Sequence, residues 1–480
     1  MEEIIKLVSM LDNGGDSWMY DLSKEFKIFY NNHVVLPGDK QQELRNKKDI
    51  NIKHLENGLK EYNEEKNTDY KIAEKRVQGS MAMHTVVQND ENDYDIDVAI
   101  IFDKSNLNGL TPLQARRLVC DALAKKCGQL NVEPECKTNC VRVQYASGYH
   151  VDFAVYRRFK DGDSSEYSYE HAGGSNWNSR NPAAITKWFQ DEVHEKGTEL
   201  RQIVRFSKMF CKSRFSWVNM PGGLIQSVVC DEKFIEDYQR IDEIFYYTMI
   251  AVRDRLNDSK EVYNPTDTEL SLLTAQNHYT KVENWCSRLD TKLAKLDILL
   301  EEDCTYEDAV NAWNEFFDHE YWGDLKEAEG AKAVYESAFL TKSEFKDTEE
   351  YIEDLVPIND CYEVHIDCKV EANGIRNQSL QKFLMRYPQF QSLIPHGLTL
   401  YFKASTNVPN PDAIWWKVRN CGKHAEVRNQ IRGQIEKKHW IEKKENSEFG
   451  GKHYVECYVI KNNECVAIKR LDVPIGEKSI

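Results

Sequence analysis

The sequence predicts an α+β protein in three parts: a mixed-sheet lobe with N-terminal helices over residues 1–180, a helical lobe over 181–355, and a smaller α+β domain over 356–480. Three observations predict it. Apolar runs with strand-like spacing gather between Asp97 and Arg158. From Asn181 the apolar period changes to that of helices. Beyond Val356-Pro357 short β-type runs return, separated by turn residues.

In chain order, the first 75 residues read as helical. Ile50, Ile52, Leu55, Leu59 and Tyr62 recur on a helical period after a break at Pro37-Gly38. DVAIIF (97–102), NCVRVQY (139–145) and YHVDFAVYRR (149–158) read as strands, the last two joined as a hairpin through Ala146-Ser147-Gly148. Between the first two, Thr111 and Pro112 open an amphipathic helix that runs to Cys127. From Asn181, NPAAITKWFQDEVHEKGTELRQIVRFSKMFCKSRF reads as a helical pair, and helices continue to about Glu350. Within them the polar stretch 255–275 reads as an exposed loop. Trp188, Phe189, Phe206, Met209 and Phe210 read as core. The third part holds CYEVHIDCKV, LTLYFKAS, KHYVECYVI and ECVAIKRLDV as strands, with a turn at Lys461-Asn462-Asn463. The boundary before it falls near 350–358.

Composition narrows the function classes. The net charge of −16 disfavours a protein whose main work is gripping a long phosphate backbone, though it leaves room for a local basic pocket. No apolar run approaches the roughly 18 residues that span a bilayer. The N-terminal residues carry early acids and no basic leader, so no secretory signal is read. Thirteen cysteines without such a signal read as reduced thiols of a cytosol. Cys136 and Cys140 lack a partner motif for zinc and read as structural thiols.

The chemistry concentrates in GSMAMHTVVQNDENDYDIDVAIIF, residues 79–102. Asp95 and Asp97, two apart on a strand, point the same way about 6.6 Å apart. Asp93 can share that face. Asp152 lies on the hairpin's second strand between Val151 and Phe153. Carboxylates beside a core are costly unless something compensates them. If these strands are neighbours, the three acids converge, and hard divalent cations such as Mg²⁺, shared with substrate phosphates, would compensate them. Two such ions can activate a hydroxyl and stabilise leaving pyrophosphate. Gly79 and Ser80 supply the complement: a close backbone approach and a hydroxyl for phosphates. Taken singly, a Gly-Ser pair is a plain turn, an Asp-x-Asp a solvated strand edge, and a hairpin Asp an exposed residue. Their order and spacing together point to a metal–triphosphate site.

This combination resembles the active-site signature of the polymerase-β-like nucleotidyltransferases, and within them the cGAS/DncV-like group (CD-NTases) of bacterial CBASS anti-phage signalling. FYNNHVVLPGDKQQELRNKKD and WNSRNPAAITKWF are similar to further stretches of that group. LRQIVRFSKMFCKSRF resembles its long helix, whose lysine, here Lys208, reaches the donor triphosphate. The chain departs from the group at MPGGLIQS, where Gly222 and Gly223 replace a Ser-bearing turn and Ser227 stands for a threonine. Residues 359–480, above all IWWKVRNCGKHAEVRNQIRG, resemble the AGS-C domain, which implies a sensor role for a small ligand. There Trp415 and Trp416 point to opposite faces if extended. Arg419, Arg428 and Arg432 with Asn420 either read a phosphorylated or planar ligand or lie on a solvated face.

The resemblance implies a bilobal polymerase-β-like fold and a cytoplasmic bacterial enzyme. It would join NTPs, with two Mg²⁺ (or Mn²⁺), into a cyclic di- or trinucleotide sensed by a downstream effector. Asp95, Asp97 and Asp152 would be the catalytic metal ligands, and Gly79, Ser80, Lys208 and Ser227 would bind nucleotide. Three other readings stand beside it. One is a transferase making linear oligonucleotides or extending RNA ends, another a transferase modifying a protein or small molecule, and the third a non-catalytic nucleotide sensor. Base choice, linkage, ring size, activating signal and oligomeric state are not written in the sequence.

Overall fold

A computed structural model describes residues 19–89, 94–128, 132–162, 164–328, 349–372, 375–390 and 393–479. Two compact units form: Leu36–Thr198 with Lys342–Ile480, and Met1–Val35 with Glu199–Thr341.

The first unit is built on a mixed sheet. Its strands are β1 (Ile72–Gln78), β2 (Asp95–Asp103), β3 (Pro134–Cys136), β4 (Val141–Gln144), β5 (His150–Phe159), β6 (Ser168–His171) and β7 (Asn178–Ser179). Their order is β1-β2-β5-β4-β3, with β6 branching from β5 and pairing β7. β2 and β5 run parallel; β4 and β5 form the expected hairpin. Two helices cover one face. Gly38–Lys66 begins directly after Pro37, and Pro112–Cys127 opens with a Thr111–Gln114 capping box. They cross closely because Gly58 has no Cβ; one would lie 1.8 Å from the Ala122 carbonyl oxygen. Ile52, Leu55 and Leu59 join Val98, Ile100, Leu118, Val151 and Phe153 in one core, whereas Ile50 is exposed.

The same unit contains the C-terminal strands β10 (Val364–Ala372), β11 (Ile375–Ser379), β12 (Ile394–His396), β13 (Thr399–Thr406), β14 (Ala413–Arg419), β15 (Arg432–Glu436), β16 (Glu442–Asn446), β17 (Gly451–Lys461) and β18 (Glu464–Ser479). They make two sheets, β11-β10-β13-β16 and β12-β18-β17-β14-β15, enclosing Val370, Phe402, Trp416, Cys457 and Val459. Asn462 and Asn463, both left-handed (φ 51° and 59°), turn β17 into β18, as that hairpin geometry requires.

The second unit is helical: Ser23–Phe29, Glu199–Lys212, Gly223–Glu232, Ile241–Asp258, Gln276–Leu293, Tyr306–Phe317 and Glu320–Ala328. Aromatic rings fill it, with Phe26 5.2 Å from Phe206 and 4.6 Å from Trp313, centroid to centroid. Phe206, Met209 and Phe210 are core, as is Phe189 of the first unit, while Trp188 is half-buried.

Three sequence expectations need correction or limits. The first 75 residues are not all helical, because β1 starts at Ile72; its Glu74, Lys75 and Arg76 hide the strand pattern. The polar stretch 255–275 is not a loop: it holds the end of the helix Ile241–Asp258 and then the hairpin of β8 (Tyr263–Asn264) and β9 (Asp267–Ser271). The expected helix through about 350 falls from 329 to 348 outside the described residues. No described helix is long and apolar enough to cross a membrane. All thirteen cysteines are free.

Candidate active site

The site grows from the register of two parallel strands. Asp97 on β2 stands opposite Asp152 on β5, and Asp95 opposite His150. Side chains two apart on a strand share a face, and laterally paired residues share it too. Asp95, Asp97 and Asp152 therefore gather where β2 and β5 begin. Asp93 lies outside the described residues.

Gly79 follows β1 and adopts φ +66°, which a residue with a Cβ seldom takes. A Cβ there would sit 2.1 Å from Asp97 Oδ2. The Gly-Ser pair is thus packed against the acids, at the start of a single helical turn, Gly79–Ala82. The Thr85 N–H donates to the Ser80 carbonyl at 2.8 Å and closes that turn.

Charge balance at the site is tight. Burial, then Asp95 and Asp152, push the Asp97 carboxyl up to about 8, against the pull of Arg142 and Arg180. Asp97 retains some exposed surface, but its surroundings still desolvate it. Asp152 is buried and forked by Arg142, with Nε 2.7 Å from Oδ1 and Nη2 2.6 Å from Oδ2. Cys140 borders the pair; burial and Asp152 push its thiol up to about 12, which keeps it protonated at neutral pH.

Among the described residues no group of three or more His, Cys, Asp and Glu side chains stands ready as a cation cage. Asp152 holds Arg142 instead. The donor chemistry nonetheless fits a hard divalent cation. Three carboxylates share one face, and burial together with the neighbouring acids Asp95 and Asp152 holds the Asp97 carboxyl well above the usual carboxylate range, a penalty that a bound cation would relieve.

Lys208 and Ser227 lie in the helical unit. Lys208 is buried on Glu199–Lys212, and of the two glycines in MPGGLIQS it is Gly223 that lies against it. A Cβ on Gly223 would meet Lys208 Cε at 2.8 Å and Nζ at 3.0 Å, so the glycine leaves room for the ammonium. Ser227 is fully buried, and its hydroxyl donates to the Gly223 carbonyl at 2.9 Å.

In the C-terminal sheets Trp416 is core and its indole N–H donates to the Trp440 carbonyl at 2.6 Å. Trp415 packs against a second cluster on the opposite face. Arg432 forks Glu445, Arg419 donates to the Arg432 carbonyl, and Arg428 lies over the Phe449 ring. A cavity of about 390 Å³ opens here, lined among others by Phe402, Asn420, Arg432, Lys444, Phe449 and Tyr454.

Sequence reasoning did not single out Arg142, yet the hairpin held the signal. Counting back from Ala146-Ser147-Gly148 pairs Gln144 with His150 and Arg142 with Asp152. It also did not find His84, which lies 3.1 Å from Glu353, or Asn359, which accepts from the Val77 N–H at 3.2 Å. Contacts so distant in sequence leave no local signature.

Residues 73–156 match the family model described as "Cyclic GMP-AMP synthase DncV-like, nucleotidyltransferase domain". Residues 346–476 match "Adenylyl/Guanylyl and SMODS C-terminal sensor domain". Two segments of the chain thus match a DncV-like nucleotidyltransferase domain and the sensor domain that goes by the second description. A cyclic GMP-AMP synthase of Escherichia albertii is 21% identical over 408 residues, covering 83% of each protein. Among solved structures, E. coli CdnC with ATP aligns at 15% identity and TM-score 0.47, over 64% of this chain and 99% of that one. Vibrio cholerae DncV with the linear intermediate pppA(3′,5′)pG aligns at 19% and 0.45, over 62% and 83%. The matched window 73–156 runs from β1 into β5. It therefore contains Gly79, Ser80 and all three acids.

Proposed function

We propose that this nucleotidyltransferase joins nucleoside triphosphates without a template into a cyclic di- or trinucleotide, releasing pyrophosphate, as a second messenger in the cytoplasm of a bacterium during CBASS anti-phage signalling. The observation that carries the reading is the pairing of Asp97 with Asp152 on parallel strands, with Gly79 packed on the Asp97 carboxylate. The 21% identical relative named a cyclic GMP-AMP synthase supports a cyclic product.

In this reading Asp95, Asp97 and Asp152 bind the cations. Two Mg²⁺ (or Mn²⁺) bound there would activate the attacking hydroxyl and stabilise the leaving pyrophosphate. Gly79 and Ser80 receive the β- and γ-phosphates of the donor NTP through backbone N–H groups and the Ser80 hydroxyl. Lys208 adds a positive charge to the donor triphosphate, and Ser227 acts on the nucleotide through the Gly223 turn that it braces. A second nucleotide presents its 2′- or 3′-hydroxyl in line with the α-phosphorus, with Asp152 on the attacking side. The new O–P bond forms as the bond to the β-phosphate oxygen breaks, and the hydroxyl proton leaves to water. Repetition and ring closure give the product, which a downstream effector senses. The functional parts follow the sequence division: 1–180 catalytic, 181–355 helical, 356–480 sensor. The sensor's small ligand enters the 390 Å³ cavity.

The test is to incubate the pure protein with all four NTPs and Mg²⁺ or Mn²⁺ and identify products by mass. Phosphatase-resistant oligonucleotides with pyrophosphate support the reading. Phosphatase-sensitive chains indicate a linear product, label on the protein or another acceptor indicates a modifying transferase, and tight NTP binding without turnover indicates a sensor.

A further inference from the structure

The turn that carries Gly79 and Ser80 is held on both flanks by one segment from much further along the chain. Just before the turn, the Val77 N–H donates to Asn359 Oδ1 at 3.2 Å. Just after it, His84 Nδ1 lies 3.1 Å from Glu353 Oε1. His84 and Asn359 are both buried, at 6% and 7% exposure, so neither contact is a solvated surface pairing.

The turn needs such support. Gly79 at its start (φ +66°) and His84 just beyond its end (φ +52°) are both left-handed. For a histidine that conformation is uncommon and persists where surrounding contacts over-determine it. β1, which leads into the turn, is the end strand of its sheet. Its outer edge near the turn is met by Asn359.

The bracing segment is itself well anchored. Ile352, Val356 and Ile358 are buried with Tyr458, Cys465 and Ile468 of the C-terminal sheets. The Asn359 N–H donates to the Cys465 carbonyl at 2.9 Å, and the Cys465 N–H to the Pro357 carbonyl at 2.8 Å. Next to Asn359, Asp360 accepts from the Ile468 N–H at 3.1 Å. It also receives Lys48 at 3.1 Å and Arg45 at 3.4 Å from the helix Gly38–Lys66. At the segment's start, Glu349 is gripped by Lys417 at 2.7 Å, and the Glu350 N–H bonds the Gly433 carbonyl at 3.0 Å.

We propose that Glu353 and Asn359 are positioning residues for the donor triphosphate. Through them the segment 352–360, anchored on the C-terminal sheets, is a working part of the nucleotide site, and its seating sets how well the Gly79–Ser80 turn receives phosphate. This rests on the reading of that turn as the phosphate-binding element. The alternative is that the two contacts only glue the segment to the sheet, as the partly exposed pair Lys53–Glu363 does at 2.8 Å.

The full-length protein is tested as Glu353→Ala, Asn359→Ala, the conservative Glu353→Gln and the control Lys53→Ala. Two readouts are used: kcat and KM for the NTP with Mg²⁺, and amide hydrogen exchange of peptides spanning Gly79–Thr85. Positioning predicts that each alanine variant raises KM about 10-fold with a smaller change in kcat. The same variants speed exchange of the turn about 10-fold while β2 and β5 keep their protection. Glu353→Gln, which still accepts from His84, recovers most of the loss, and Lys53→Ala matches the parent. The two flanks are independent, so a variant that fails to fold leaves the other to decide. Parental KM and parental turn exchange in a folded alanine variant overturn the proposal. Absence of turnover in the parent overturns the reading of the site instead, and the exchange readout still decides the bracing.

Discussion

Arg142 and Asp152 face each other across the β4–β5 hairpin, and the guanidinium takes both carboxylate oxygens at 2.7 and 2.6 Å. A two-point fork of this kind is stronger and more directional than a single contact. Its consequence is that Asp152, one of three clustered acids, carries a compensating charge of the protein's own.

Removing that charge should show in stability before it shows in rate. Arg142→Ala leaves Asp152 buried beside Asp97 without its partner, a loss of roughly 1–3 kcal/mol. Added Mg²⁺ should restore more stability to the variant than to the parent, because the cation replaces the missing guanidinium. Calorimetry in EDTA and in Mg²⁺ reads this directly; equal Mg²⁺-induced shifts in both proteins would contradict it.

Gly79 offers a sharper test. Gly79→Ala brings a Cβ to within 2.1 Å of Asp97 Oδ2 and places alanine at φ +66°. The strain costs about 1–3 kcal/mol, and displacement of the carboxylate should lower kcat at least 100-fold in protein that remains folded by circular dichroism. A folded variant with parental kcat would remove the close packing from the account.

At Gly223 the neighbour is the flexible end of Lys208, so the outcome should divide differently. Gly223→Ala should change stability by no more than about 1 kcal/mol. It should raise the NTP KM several-fold by shifting the ammonium. Denaturant unfolding and steady-state kinetics separate the two effects, and an unchanged KM would argue against Lys208 as a triphosphate contact.

His171 gives the fold a pH dependence. Burial, then the Arg180 charge, lower its pKa to about 4, while Nε2 keeps a 3.0 Å bond to the Asn139 carbonyl. Its folded pKa lies below the ordinary value, so the unfolded chain takes up the proton first. Stability is then full above about 6.5 and falls as pH drops toward 4, by roughly 3 kcal/mol from this group. Urea titrations between pH 7 and 4 should show a shallower decline in His171→Gln; identical slopes would contradict the assignment.

The acids were legible because a strand with apolar alternation announces itself, and Asp95, Asp97 and Asp152 interrupt it at the same phase. The β4–β5 hairpin, the helix Pro112–Cys127 and the long strands β17 and β18 were legible for similar local reasons: turn residues, caps and period. β1 was not, since Glu74, Lys75 and Arg76 face other charges, among them Glu464 at 3.0 Å from Arg76, rather than a simple apolar core. The hairpin at 263–271 is exposed nearly throughout and has no buried face to write an alternation. Glu353 and Asn359 act on the Gly79–Ser80 turn only after the chain has returned to its own beginning, and no window of sequence contains both partners.

Pyrophosphate release from NTPs in Mg²⁺, measured for the parent and for Asp97→Asn, tests the catalytic assignment most directly. Asp97→Asn is nearly isosteric and keeps the packing against Gly79, so it removes a carboxylate that a cation can hold ionised and little else. The account predicts a loss of at least 1000-fold with the fold intact. Release at the parental rate would contradict it.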